Sequence, residues 1–175
     1  MLTSAQLKSA QIATPLGDML SIADHEKLYL LEFTTRKNLE KQIDKLTINQ
    51  KTDITSGETS VTRSIKNELE RYFKNELREF QTPVYLQGTD FQHIVWQALQ
   101  RIPFGQTRSY AELAQAIGQP KAYRAVARAN STNRLAIIIP CHRIINQNGN
   151  LGGYAGGITR KQSLLQHEKT QNEKI

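Results

Sequence analysis

The chain holds one cysteine, Cys141, inside the stretch IIIPCHRII that runs from residue 137 to 145. A thiolate is a strong nucleophile, and nearby positive charge favours it over the thiol. His142 and Arg143 follow at once and supply such charge. Neighbouring side chains rarely face each other, so a water between Cys141 and His142 is an easier geometry than a direct bond. A histidine that takes protons usually needs a third group to orient it. Glu168, in the stretch LLQHE, is the candidate, although by residue type alone a solvated helix-end glutamate is the commoner outcome. A buried free cysteine is also, more often than not, just a small hydrophobe. Two further features must therefore give the thiol a task.

The first is the loop NQNGNLGGYAGG, residues 146–157, where Asn148-Gly149 is a hairpin-turn signal. Gly152 and Gly153 leave room for a flat ligand to approach the backbone, and Tyr154, beside Ala155, can stack on it. The second is QPKAYRAVARAN, residues 119–130. Its alanines, Ala125 and Ala127 among them, make a slim helix, and Lys121, Arg124 and Arg128 make it basic. Such a helix can approach a nucleic-acid backbone closely, whereas in an ordinary core it would serve a close helix–helix contact.

Charge is distributed unevenly. Residues 1–87 carry 12 basic and 12 acidic side chains, and residues 88–175 carry 11 basic and 4 acidic ones. The whole net charge of +7 therefore lies in the second half, which suggests a polyanionic partner such as nucleic acid. A lone cysteine cannot close an intramolecular disulfide, and it excludes a cysteine-rich zinc site. His25, His93 and His167 lack metal-ligand spacing and read as structural or exposed, and direct attack by a thiolate gives neither a metal nor an organic cofactor a task, so no cofactor is expected. No apolar run approaches the ~20 residues that span a bilayer. The opening MLTSAQLKSAQ lacks the apolar core of a secretory signal, so a cytoplasmic protein is expected.

Two domains are expected to position these residues, 1–87 and 88–175. In the first, AQIATP and MLSIAD flank the turn PLGD, and LYLLEF follows DHEK, as in an antiparallel meander. TRKNLEKQIDKL reads as a helix with Leu39, Ile43 and Leu46 on one face, and VTRSIKNELERYFKNE as another with Ile65, Leu69 and Phe73. NQKTDITSGETS between them reads as loop, and FQTPVYLQG as a short extended link. In the second domain, TDFQHIVWQALQRIP reads as a helix capped by Asp90. Ser109 and Glu112 have capping-box spacing, and Gly118 stands where a left-handed terminator belongs. Pro120 suits the first turn of the next helix, giving a helix-turn-helix pattern. The apolar LAIIIP reads as a buried strand that ends at Pro140. In the last helix, Leu164 and Leu165 should pack inwards.

Taken together, IIIPCHRII, GGYAGG and LLQHE resemble the O6-alkylguanine-DNA alkyltransferases, also called methylated-DNA–protein-cysteine methyltransferases. The resemblance is continuous from about Phe91 to Glu168. It implies an α+β protein in which a ribonuclease-H-like α/β domain precedes a mainly helical winged helix-turn-helix domain. It implies one-step, single-use transfer of the alkyl group from O6-alkylguanine, and also from O4-alkylthymine, in double-stranded DNA, by a monomer that flips the base out. By the same resemblance Cys141 is the acceptor, His142 activates it through a water, Glu168 orients His142, and Asn133 braces the cysteine turn. Tyr110 presses on the phosphate and donates to the guanine ring, while Arg124 fills the vacated stack. Tyr154 and the Ala155 amide hold the flipped base, whose amino group donates to the main-chain oxygens of Cys141 and Ile144. Arg134 after Asn133, Ala127 in the recognition helix and Ser163 before the last leucine pair depart from the family pattern. The rival readings are a winged-helix DNA-binding or lesion-sensing protein without chemistry, and a cysteine hydrolase.

Overall fold

The computed structural model describes residues 6–174, so the reading of the opening MLTSA lies outside it. The chain divides into two compact units, residues 1–86 and 87–175.

The first unit is built on a four-stranded sheet. Strands β1 (Leu7–Ile12), β2 (Met19–Ala23) and β3 (Leu28–Phe33) form the expected antiparallel meander. Helix α1 (Leu39–Gln50) then returns the chain to the far side of β1, giving the order β3-β2-β1-β4. Strand β4 (Ile54–Ser56) lies in the segment expected to be loop, and it pairs parallel with Leu7–Ser9 of β1. Its ITS sequence has one apolar residue, so the β1 edge, not local propensity, makes it a strand. Leu46 joins Leu7, Ile22 and Leu30 in the core, with Leu39 and Ile43 packed against them, as the helical spacing requires. Helix α2 (Ser60–Phe73) buries Ile65 and Leu69, while the inward aromatic is Tyr72 and Phe73 is only half-buried. The FQTPVYLQG link touches the sheet through a parallel bridge between Val84 and Leu28.

In the second unit, α3 (Asp90–Gln100) is capped by Thr89, not Asp90. The Thr89 hydroxyl accepts from the Gln92 amide at 3.2 Å, and Gln92 Oε1 accepts in return from the Thr89 amide at 2.9 Å. Asp90 instead occupies the first helical turn, where its charge complements the helix dipole. Ser109 and Glu112 form the expected capping box of α4 (Tyr110–Ala116), and Gly118 has φ +75°. Pro120–Ala122 makes a 3-10 turn that leads into α5 (Tyr123–Ser131). Short strands β5 (Arg108–Ser109) and β6 (Ile144–Ile145) pair in parallel, and α6 (Ile158–Asn172) closes the unit. A turn forms at Asn148-Gly149, but no second strand follows it.

LAIIIP is not a strand. Leu135–Ile139 coils into tight turns, with the Ile138 amide on the Ala136 oxygen at 2.9 Å and the Ile139 amide on the Leu135 oxygen at 3.0 Å. Ile137 has φ +72°, a region that β-branched residues rarely enter. The run is apolar because it is buried, and a short buried run carries no period that separates strand from turn.

Candidate active site

Asn133 organises this buried turn. Its Nδ2 donates to the Ile139 oxygen at 2.9 Å and the Leu135 oxygen at 3.4 Å, and its Oδ1 accepts from the Leu135 amide at 2.9 Å. The same Nδ2 lies 3.2 Å from the Cys141 sulfur. An N–H aimed at sulfur favours the thiolate. Cys141 opens a 3-10 turn, Cys141–Arg143, and is 7% exposed.

His142 is fully buried, and its Nε2 lies 2.8 Å from Glu168 Oε1. Glu168 is not a solvated helix-end residue: it too is fully buried. Arg143 grips it as a fork, Nε on Oε2 at 2.8 Å and Nη2 on Oε1 at 3.0 Å, while Nη1 reaches the Ile102 oxygen at 2.7 Å. The Gly105 amide adds a bond to Oε2 at 3.3 Å. Gly105 has φ +78°, and a Cβ there would lie 2.8 Å from Asn172 Cβ, so only glycine fits this contact.

Burial opposes the Glu168 charge, but His142 and Arg143 outweigh it and hold the carboxyl well below the usual carboxylate range. Burial pushes the His142 imidazole down despite Glu168, so the ring is neutral near pH 7. Its Nδ1 is buried and has no protein partner, which leaves it able to accept a proton. Tyr110, half-buried at the start of α4, has its hydroxyl pKa raised by burial and by the charge of Cys141, against a hydrogen bond from Asn130.

The structure joins Asn133 to Cys141 and His142 to Glu168, and it sets Tyr110 within electrostatic reach of the sulfur. Ile144 and Gly153 are joined through Lys161, whose Nζ donates to their oxygens at 2.5 and 3.2 Å. Gly152 has φ +70°, and a Cβ there would lie 3.0 Å from Asn146 Oδ1. Tyr154 is half-buried and Ala155 exposed. Lys121 is exposed in the 3-10 turn before α5, Arg124, Ala125 and Arg128 are exposed on its outer face, Ala127 is half-buried, and Val126, Ala129 and Asn130 face inwards. The Arg124 guanidinium lies 5.7 Å from the centroid of the Tyr123 ring. Among the described residues no cluster of three or more His, Cys, Asp or Glu could hold a metal ion.

Sequence reasoning missed three contributors: Arg143 as the partner of Glu168, Gly105 and Lys161. One signal was available. The inward face of α6 is Lys161, Leu164 and Glu168, at helical spacing, and Leu165 lies to one side, only half-buried.

Comparison with known proteins fits this arrangement. Residues 90–170 match the family described as 6-O-methylguanine DNA methyltransferase, DNA binding domain. The chain is 41% identical over 155 residues to the methylated-DNA–protein-cysteine methyltransferase of Methanosarcina acetivorans, covering 89% of this chain and 94% of that one. It belongs to the methylated-DNA–protein-cysteine methyltransferase family. The crystal structure of the Mycobacterium tuberculosis O6-methylguanine methyltransferase superposes with a TM-score of 0.82 at 38% identity, over 95% of this chain and 94% of that one. The same organism's OGT, crystallised in complex with DNA, superposes with a TM-score of 0.80 at the same identity and coverage. The chain's one cysteine, Cys141, is held by Asn133 beside this buried histidine–glutamate pair.

Proposed function

We propose that this methyltransferase repairs DNA by direct reversal, transferring the alkyl group of O6-alkylguanine to Cys141 in one step. The observation that carries the reading is the hydrogen-bonded line from Asn133 to the Cys141 sulfur, beside a His142 fixed by a buried, ionised Glu168. His142 takes the thiol proton through a water at Nδ1. The thiolate attacks the alkyl carbon in line, the S–C bond forms as the C–O6 bond breaks, and the electron pair passes to the guanine. Tyr110 donates a proton to the guanine ring as it leaves and recovers one from water. The product is a thioether, which water does not hydrolyse, so each molecule acts once.

The target atom lies inside the duplex, and rotating the nucleotide out costs a few kcal/mol. The exposed cations of α5 and of the 3-10 turn before it suit the phosphate backbone, with Arg124 entering the stack and Lys121 and Arg128 on phosphates. The Ile144 and Cys141 oxygens, Tyr154, the Ala155 amide and the Gly152-Gly153 backbone then line the base pocket. O4-alkylthymine offers the same carbon–oxygen bond. The sheet order β3-β2-β1-β4 suits a ribonuclease-H-like first domain, and α4, α5 and the β5–β6 pair suit a winged helix-turn-helix in the second. A monomer suffices, because one chain holds every group named. A working free thiol suits a reducing cytoplasm, and among the described residues no helix is long and apolar enough to cross a membrane.

A DNA-binding protein without chemistry would leave the buried Cys141–His142–Glu168 arrangement without a purpose. Time courses with excess methylated duplex separate the two readings. A single burst equal to the protein concentration is expected, with none for Cys141→Ser, which still binds DNA. Continued turnover would overturn single use, and no burst would overturn the chemistry.

A further inference from the structure

Lys161 is the only buried lysine among the described residues, with no exposed surface. An ammonium out of water is costly unless an anion faces it. Its bonds, however, run to two neutral main-chain oxygens, those of Ile144 and Gly153. Among the described residues no carboxylate pairs with it. Glu168, seven residues on along the same face of α6, is already taken by Arg143 and His142.

The charges of the cluster therefore do not close. Arg143 and Glu168 cancel, and His142 is neutral. Tyr110 from α4 is neutral below its raised pKa, and Asn133 carries no charge. The Lys161 charge is left over. Burial pushes the ammonium down to about 8, and the one charge that pulls it back up is that of Cys141.

We infer that Lys161 is the counter-cation of a Cys141 thiolate, and that its clasp on the Ile144 and Gly153 oxygens ties the rim of the base pocket to the charge on the sulfur. Lys161 thus acts as a positioning residue, through the sulfur and the two carbonyls, and need not touch the alkyl group. Once His142 has relayed the thiol proton through its water to solvent, thiolate and ammonium neutralise each other. Alkylation turns the sulfur into a neutral thioether, the ammonium loses its anion, and its proton is released more readily. The inference rests on Cys141 being the nucleophile of the proposed function, but its test uses no DNA, so the two fail separately.

The test is the pH profile of Cys141 alkylation by iodoacetamide, in which the sulfur displaces iodide. Wild type, Lys161→Met and Lys161→Arg are compared. The Met variant should move the midpoint up by about one pH unit, a roughly tenfold slower reaction below the midpoint. The Arg variant, which keeps the charge, should restore most of the shift. An unmoved midpoint in a folded Met variant overturns the inference. A second measurement needs no variant: the Lys161 side-chain resonance is titrated by NMR in wild type before and after carbamidomethylation of Cys141. Its midpoint should fall once the sulfur is neutral, and an unchanged or higher midpoint overturns the inference as well.

Discussion

Replacing Glu168 by glutamine keeps the shape of the side chain and removes its charge. In the native site one carboxylate oxygen accepts from His142 Nε2 and Arg143 Nη2, and the other from Arg143 Nε and the Gly105 amide. The glutamine amide must turn its N–H groups towards one of these pairs, so two donors lose their acceptor. The Arg143 guanidinium also loses the carboxylate it is paired with, keeping the Ile102 carbonyl. Breaking a buried pair from one side costs about 3–5 kcal/mol. At roughly 2–4 °C per kcal/mol for a chain of this length, the melting temperature near pH 7 should fall by about 6–20 °C. The pH dependence has a definite sign. The Glu168 carboxyl titrates below its ordinary 4.5 in the folded protein, so its contribution is complete above that value and fades as the pH drops below it. The melting gap between wild type and Glu168→Gln should therefore narrow below about pH 4.5. Alkyl transfer should slow as well, since His142 loses its orienting partner, while DNA affinity holds because α5 is untouched. Thermal denaturation from pH 7 down to pH 3 is the assay. A fall of less than about 3 °C near neutrality, or a gap that stays constant with pH, would refute the reasoning.

Arg124→Ala should slow repair of duplex DNA tens to hundreds of fold, since ~1.4 kcal/mol of lost extrusion energy is a factor of ten, and leave the reaction with free O6-benzylguanine nearly unchanged. Equal slowing of both substrates, timed at fixed salt, would return Arg124 to a structural role. Asn133→Ala should strand the Leu135 amide inside the protein, while the Ile139 oxygen keeps the Cys141 amide at 2.7 Å, a cost of about 1–3 kcal/mol that chemical denaturation will read. It should also slow Cys141 alkylation, and a fully reactive, fully stable variant would remove Asn133 from the site.

Much of the frame was legible in the residues. The Leu39–Ile43–Leu46 spacing placed α1 against the sheet, and Ser109, Glu112 and Gly118 marked both ends of the first helix of the helix-turn-helix pattern, because capping is local chemistry. Strand β4 was not legible, since its partner lies more than 40 residues away on the β1 edge. The turns of Leu135–Ile139 were hidden for another reason. The Asn133 side chain satisfies their backbone groups, and nothing in the letters LAIIIP announces that. The cysteine and histidine of the site stood out by type, but the burial of Glu168 and Lys161 did not. A glutamate or lysine belongs in water until a partner is supplied, and here the partners are Gly105, His142 and Arg143 for Glu168 and the Ile144 and Gly153 oxygens for Lys161.

The central claim is that Cys141 takes the alkyl group and keeps it. Intact-mass analysis after mixing with one equivalent of duplex bearing a single O6-methylguanine tests it most directly, with peptide mapping of the product. The account predicts a gain of one methyl group per molecule, on the peptide that contains Cys141, with the guanine in the recovered DNA restored. DNA restored with no change in protein mass, or a methyl group on any other residue, would contradict it.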